Sequence, residues 1–242
     1  MMAFGHTLRN VLSASLLALG RAAAVAPADA ASDKTLRAVV NADLKIIDPT
    51  WSTAYVTIRH SYLVYDNLFA LNSNFEPKPQ MVDTFTVSPD KMSYSFTLRK
   101  GMKWHDGAPV TAADCVASLK RWAQRKAMGQ HKVRAREGFE VVDDLTFKIK
   151  LKDQFGLVLE ALAGAEAPAF MMPARIAEQP IDKQITDPIG SGPFMMKRDE
   201  WQPGHKAVYV RNPAYIPRNE PADYLAGGKV AKLDRFNLDM CR

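Results

Sequence analysis

Cysteine is nearly missing from this chain: its 242 residues hold two, Cys115 and Cys241. That is too few for a disulfide framework and leaves room for one bridge at most. Long apolar runs are missing as well. Val11 to Leu19 falls short of the roughly 20 residues that a membrane helix needs. Net charge is +6, yet no block of consecutive Lys and Arg marks a groove for nucleic acid. The scattered charge reads as a solvated surface, and no nucleic acid partner is expected. No serine sits in Gly-x-Ser-x-Gly, which removes the usual hydrolase elbow. Gly190-Ser191-Gly192-Pro193 lacks the Lys-Ser/Thr pair of a phosphate loop.

What is present suits a folded chain: 47% hydrophobic and 24% charged residues are ordinary for globular domains. The most informative stretch runs from Tyr94 to Trp122. Tyr94, Phe96 and Leu98 alternate with Ser95, Thr97 and Arg99, the period of a strand buried on one face. Lys100-Gly101 breaks it. Met102 and Trp104 follow, then Asp106-Gly107 supplies a turn. Thr111-Ala112-Ala113-Asp114 has the capping-box pattern of a helix start. Cys115, Leu119 and Trp122 then recur at helical spacing, with Lys120, Arg121 and Gln124 expected in solvent.

Around that stretch, residues 1–30 read as a secretory signal peptide, with Arg9, a short apolar region and Ala28-Asp29-Ala30 as the cleavage site. Residues 31–242 are then the mature domain. Thr35 to Val40 is a strand, and Thr53 to Phe69 a helix carrying a partly buried His60. Leu71 to Gln80, with Pro77 and Pro79, reads as loop. Hairpins are expected at residues 84–98, 139–151 and 195–210, and a helix over Phe155 to Ala163. Catalysis has one candidate, His105 beside Asp106. Neighbours in a turn point apart, whereas metal ligands must converge. A secreted metal-dependent hydrolase is therefore the alternative reading, and no enzyme activity, cofactor or metal is expected.

Phe96-Thr97-Leu98-Arg99 through His105-Asp106-Gly107 to Asp114 occurs in the company of several further motifs. These are Ile47-Asp48-Pro49, Tyr65-Asp66-Asn67-Leu68-Phe69, Gly190-Ser191-Gly192-Pro193-Phe194 and Arg211-Asn212-Pro213-Ala214-Tyr215. In that order they resemble the family-5 solute-binding proteins of bacterial ABC importers, from about Leu36 to about Asp234. The resemblance implies a mixed α/β, hairpin-rich first lobe of a two-lobed periplasmic binding protein of the cluster C type, with the second lobe absent. It implies a periplasmic monomer that captures di- or oligopeptides, or a related solute such as nickel or an opine, for permease subunits in the inner membrane. It also places Thr53 and Tyr55, after the Asp-Pro pair, and Ser191 and Gly192 on the ligand cleft, while Trp104 and His105 are read as structural. The segment after Asp234 is expected to leave the family pattern, as in a truncated copy that does not transport alone and lacks the strands that complete its sheet.

Overall fold

The computed structural model describes residues 34–125, 136–165 and 168–240. The expected signal segment, the basic stretch at 126–135 with His131, and Cys241 lie outside the described residues. In chain order the elements are β1 (Thr35–Val40), α1 (Tyr55–Val64), β2 (Asp66–Asn67), β3 (Phe69–Leu71), β4 (Pro77–Pro79), β5 (Val82–Val87), β6 (Ser93–Leu98), α2 (Ala112–Arg125) and β7 (Arg136–Val141). They continue as β8 (Thr146–Leu151), α3 (Val158–Ala163), β9 (Phe170–Met171), α4 (Ala174–Ala177), β10 (Phe194–Met196), a 3-10 turn (Arg198–Glu200), β11 (Lys206–Arg211) and β12 (Arg235–Met240).

Period-two patterning builds the first sheet, ordered β5-β6-β8-β7 and antiparallel throughout. Tyr94, Phe96 and Leu98 share a buried face with Phe147, Ile149 and Leu151, and the register sets Phe96 opposite Phe147. Their rings meet at 5.3 Å between centroids. Over this face lies α2, which buries Cys115, Val116, Leu119 and Trp122 in the same core. Each large side chain so covered stabilises the fold by about 1.5–3 kcal/mol. Cys115 is a free thiol there, and burial pushes its pKa up.

The second sheet runs β1-β12-β11-β10, with β12 parallel to β1 and antiparallel to β11. Its core joins Val40, Phe194, Met196, Tyr209, Leu238 and Met240 to Val56 and Val64 of α1. The segment after Asp234 is therefore an interior strand of this sheet. Leu238 and Met240 alternate with Asn237 and Asp239, and that period, short as it is, makes a strand buried on one face.

Four other expectations are corrected. Helix α1 stops at Val64, five residues before Phe69, because Tyr65 turns extended and residues 66–67 pair with β9. Leu71 to Gln80 is not all loop, since Pro77 and Pro79 sit in β4, a short strand paired only with β3. Proline is tolerated on such an edge, where no ladder donor is missed. His60 is fully buried rather than partly, with its Nδ1 2.9 Å from the Tyr209 hydroxyl. Arg121 is not in solvent: it lies buried beneath α2, 3.2 Å from the equally buried Asp48.

Candidate functional site

The capping box at the start of α2 does more than begin a helix. The Thr111 hydroxyl accepts the Asp114 amide at 3.3 Å, and Asp114 Oδ2 accepts the Thr111 amide at 2.9 Å. The same carboxylate takes the Trp104 indole N–H at 3.1 Å and the Ala174 amide at 2.7 Å. Trp104 is thus locked into the core beside the helix terminus, and His105, next in the chain, is held in place with it.

His105 braces the Gly190–Gly192 segment. Its backbone amide donates to the Gly190 carbonyl at 2.8 Å, its Nδ1 accepts the Gly190 amide at 3.3 Å, and its Nε2 meets the Gly192 carbonyl at 3.1 Å. An amide only donates and a carbonyl only accepts, so both bonds require neutral imidazole protonated on Nε2. Burial lowers the His105 pKa and favours that form. Both ring nitrogens are occupied, and Asp106 pairs with Arg175 and caps the Ala108 amide. The geometry does not favour a hydrolytic or metal-binding pair. No group of three or more metal-ligating side chains occurs among the described residues.

The glycines let this segment lie directly on the end of α1. A Cβ on Gly190 would stand 2.0 Å from the Val64 carbonyl oxygen, and one on Gly192 2.7 Å from that of Leu63. Ser191 and Gly192 are buried in this seam, the Ser191 hydroxyl without a hydrogen-bond partner. Thr53 and Tyr55 are exposed at the other end of α1. A ten-residue helix is about 15 Å long, so the two pairs expected on one cleft are held apart. Asp48 fixes the approach to Thr53: its carboxylate accepts the Thr50, Trp51 and Ile185 amides at 2.8, 3.2 and 3.0 Å. Arg125 lies 3.8 Å above the Trp51 ring.

An open cleft of about 340 Å³ lies next to Gly192, lined by Tyr62, Phe194, Tyr224, Leu225, Lys229 and Val230 among others. Its volume is at the low end of small-molecule sites. Most of its wall comes from the connection between β11 and β12, residues 212–234, to which sequence reasoning assigned no role. Its length was the available signal, since structureless connections beyond about 12–15 residues are usually functional. Arg218 ties it down, donating to the Gln80 and Val82 carbonyls at 3.2 and 2.8 Å and pairing with Glu220. Gly227 (φ 76°) and Gly228 then fold back so closely that Cβ atoms there would meet Pro221 O at 2.0 Å and Arg218 O at 2.7 Å. Asp223 and Ala226 exchange two 2.9 Å backbone bonds around Tyr224, whose φ is 55°. Tyr62 faces it across the cleft, and burial, with Tyr224 adding to it, raises the Tyr62 pKa. Lys229 is the one charged lining residue, and its ammonium sits 2.9 Å from the buried Asp66.

With this geometry the chain was compared with known proteins. Residues 76–241 match the family described as bacterial extracellular solute-binding proteins, family 5 Middle. The match includes β12 and so passes the limit at Asp234 expected from the motifs. A "Probable peptide ABC transporter periplasmic-binding protein" of Sinorhizobium fredii is 44% identical over 210 residues, 87% of this chain and 39% of that protein. A glutathione-binding protein of Salmonella choleraesuis is 32% identical over 190 residues, 75% of this chain and 36% of that protein. Among solved structures, the binding protein AgaA of A. tumefaciens R10, in complex with agropinic acid, superposes with a TM-score of 0.70 at 23% identity. It covers 86% of this chain and 40% of its own. The fold is thus that of one partial lobe, and the chain spans about 40% of the length of these relatives. A family match over more than half of the residues leaves one assignment: the chain belongs to the bacterial extracellular solute-binding proteins, family 5.

Proposed function

We propose that this chain forms one wall of the solute site in the extracytoplasmic binding protein of an ABC importer, and that the solute is a short peptide. The observation that carries this reading is the 44% identity, over 87% of the chain, to a protein named for peptide import. The site is the cleft between Tyr62 and Tyr224, with Pro193 and Phe194 extending the wall from the Ser191-Gly192 seam. Thr53 and Tyr55 stand at the other end of α1, outside this cleft, and a second lobe would close on the solute from across it. Permease subunits are the partners of that closed form. Residues 1–30 act as the export signal to the periplasm, and residues 31–242 are the exported lobe.

One wall desolvates a ligand only partly, so affinity for the chain by itself is expected near 1 mM, about 4 kcal/mol. Amide NMR spectra of the purified chain, titrated with tri-alanine, tri-phenylalanine and glutathione, test the reading. Saturable shifts clustered at residues 62, 194 and 222–231 are expected. Shifts elsewhere, or none with any of the three peptides, would overturn it.

A further inference from the structure

Two exposed aromatic rings are carried on backbone that few side chains adopt. Among the described residues, Phe75, Lys91 and Tyr224 are the non-glycine positions with positive φ, at 60°, 57° and 55°. A bulky side chain is crowded against its own backbone there, so such positions ordinarily hold glycine or asparagine. Two of the three are aromatic, and they touch: the Phe75 and Tyr224 rings meet edge to face, 6.1 Å between centroids at 62°. The contact covers little of either, since Phe75 stays 72% and Tyr224 62% exposed. The strain is therefore not offset by burial in a core. Both turns are nevertheless rigid. The Asn72 side-chain oxygen accepts the Asn74 and Glu76 amides at 3.1 and 2.8 Å, and its carbonyl accepts the Phe75 amide at 3.0 Å. The turn that carries Tyr224 is fastened to the same hairpin on either side of the ring: the Ser73 amide donates to Asp223 Oδ1 at 3.0 Å, and the Leu225 amide to the Leu71 carbonyl at 3.1 Å. Tyr224 lines the cleft, and so does Tyr62. Tyr62 is fixed as well, edge to face with Phe170 at 5.1 Å and with its hydroxyl 3.4 Å from the Ala165 carbonyl. Each tyrosine is thus backed by another ring, and among the described residues no ring contact joins the two tyrosines.

We infer that Tyr62 and Tyr224 form a slot for an aromatic side chain of the solute, and that Phe75 is a positioning residue that fixes the Tyr224 ring. This deepens the peptide reading of the same cleft and rests on it. A ring that enters between the tyrosines gains edge-to-face or offset contact beyond its buried area, which an aliphatic chain does not. Phe194, Leu225 and Val230 complete an apolar lining that keeps water from the guest ring. The rigid turns add to the selectivity, because no loop has to be ordered when the solute arrives.

The test titrates Ala-Phe-Ala and Ala-Leu-Ala into the purified chain, followed by amide NMR shifts, with thermal unfolding by circular dichroism measured beside it. Ala-Phe-Ala is expected to bind about tenfold more tightly, the size of two ring contacts. In Phe75→Asn and in Tyr224→Asn the two peptides should bind within about threefold of each other, while the thermal midpoint holds or rises, because asparagine tolerates positive φ. In Phe75→Tyr the preference should persist. Equal binding of the two peptides by the unmodified chain overturns the slot while leaving the peptide reading standing, as does a preference that survives both asparagine variants. A midpoint lowered by Phe75→Asn would mean that the ring is kept to clamp the two turns together, and overturns its positioning role. Failure of both peptides to shift any resonance overturns the peptide reading, and this inference with it.

Discussion

Replacing Arg121 by Met should destabilise the fold far more than a helix-surface substitution would. The guanidinium donates to Asp48 Oδ2 at 3.2 Å, to the Gln179 carbonyl at 2.8 Å and to the Lys183 carbonyl at 2.9 Å. Its side chain is 1% exposed and that of Asp48 is 0% exposed. Methionine fills much of the volume but supplies no donor. It leaves a buried carboxylate held by three backbone amides and strands two carbonyls. Breaking a buried pair from one side costs about 3–5 kcal/mol. For a domain of this size each kcal/mol moves the midpoint by about 2–4 °C, so thermal unfolding followed by circular dichroism should drop by roughly 6–20 °C. Asp48→Ala should cost more, since it orphans the Thr50, Trp51 and Ile185 amides together with the guanidinium. The double variant should lose clearly less than the sum of the two, because neither charge is then left alone. Added salt should barely move the unmodified chain, as buried pairs are poorly screened. Single variants that each lose under about 1 kcal/mol, with an additive double variant, would mean that water reaches the pair and that it acts as a surface bridge.

Burial lowers the His60 pKa to about 3, while the unfolded chain takes up that proton near 6.5. The folded form binds fewer protons below pH 6.5, so stability is full above that value and declines as pH falls toward 3. Denaturant melts at pH 7 and pH 4 should differ more for the unmodified chain than for His60→Gln, and equal differences would refute the assignment. Gly190→Ala forces a Cβ onto the Val64 carbonyl and should cost about 1–3 kcal/mol or more by chemical denaturation. Gly107→Ala has open space and only its φ of 89° to strain, so it should cost about 1 kcal/mol; a reversed order would contradict the seam. Trp104→Ala should lose about 3–5 kcal/mol in the same assay, and an unchanged midpoint would place Trp104 outside the core.

Local chemistry was legible in the sequence, and long-range contact was not. The strands of residues 93–98 and 146–151 were readable because alternation is a property of neighbours, and the Thr111-Asp114 box because it spans one turn. Arg121 was misread for the opposite reason. On α2 alone it belongs with Lys120 and Gln124, and only Asp48, distant in sequence, brings it inside. The end of α1 is set by Gly190 and Gly192 pressing on Leu63 and Val64, again a contact without local trace. The cleft wall over residues 212–234 has no period to detect. Its Pro221 and its Gly227-Gly228 pair mark turns, but what they turn toward becomes visible only when Asp66 and Tyr62 are brought beside Lys229 and Tyr224.

The place of β12 carries a consequence for the order in which the chain can assemble during synthesis. All four strands of the first sheet fall between residues 82 and 151, so that sheet can close while much of the chain is still emerging. The second sheet cannot. Thr35 pairs with Arg235 and Val40 with Met240, and β12 also separates β1 from β11. Until residue 240 has left the ribosome, β1 has no neighbour and β11 lacks one, and such distant pairings are slow to form. The alternating Leu36, Ala38 and Val40 therefore wait, as an unmatched strand, for about 200 further residues to be made, the kind of segment that a holding chaperone must shield.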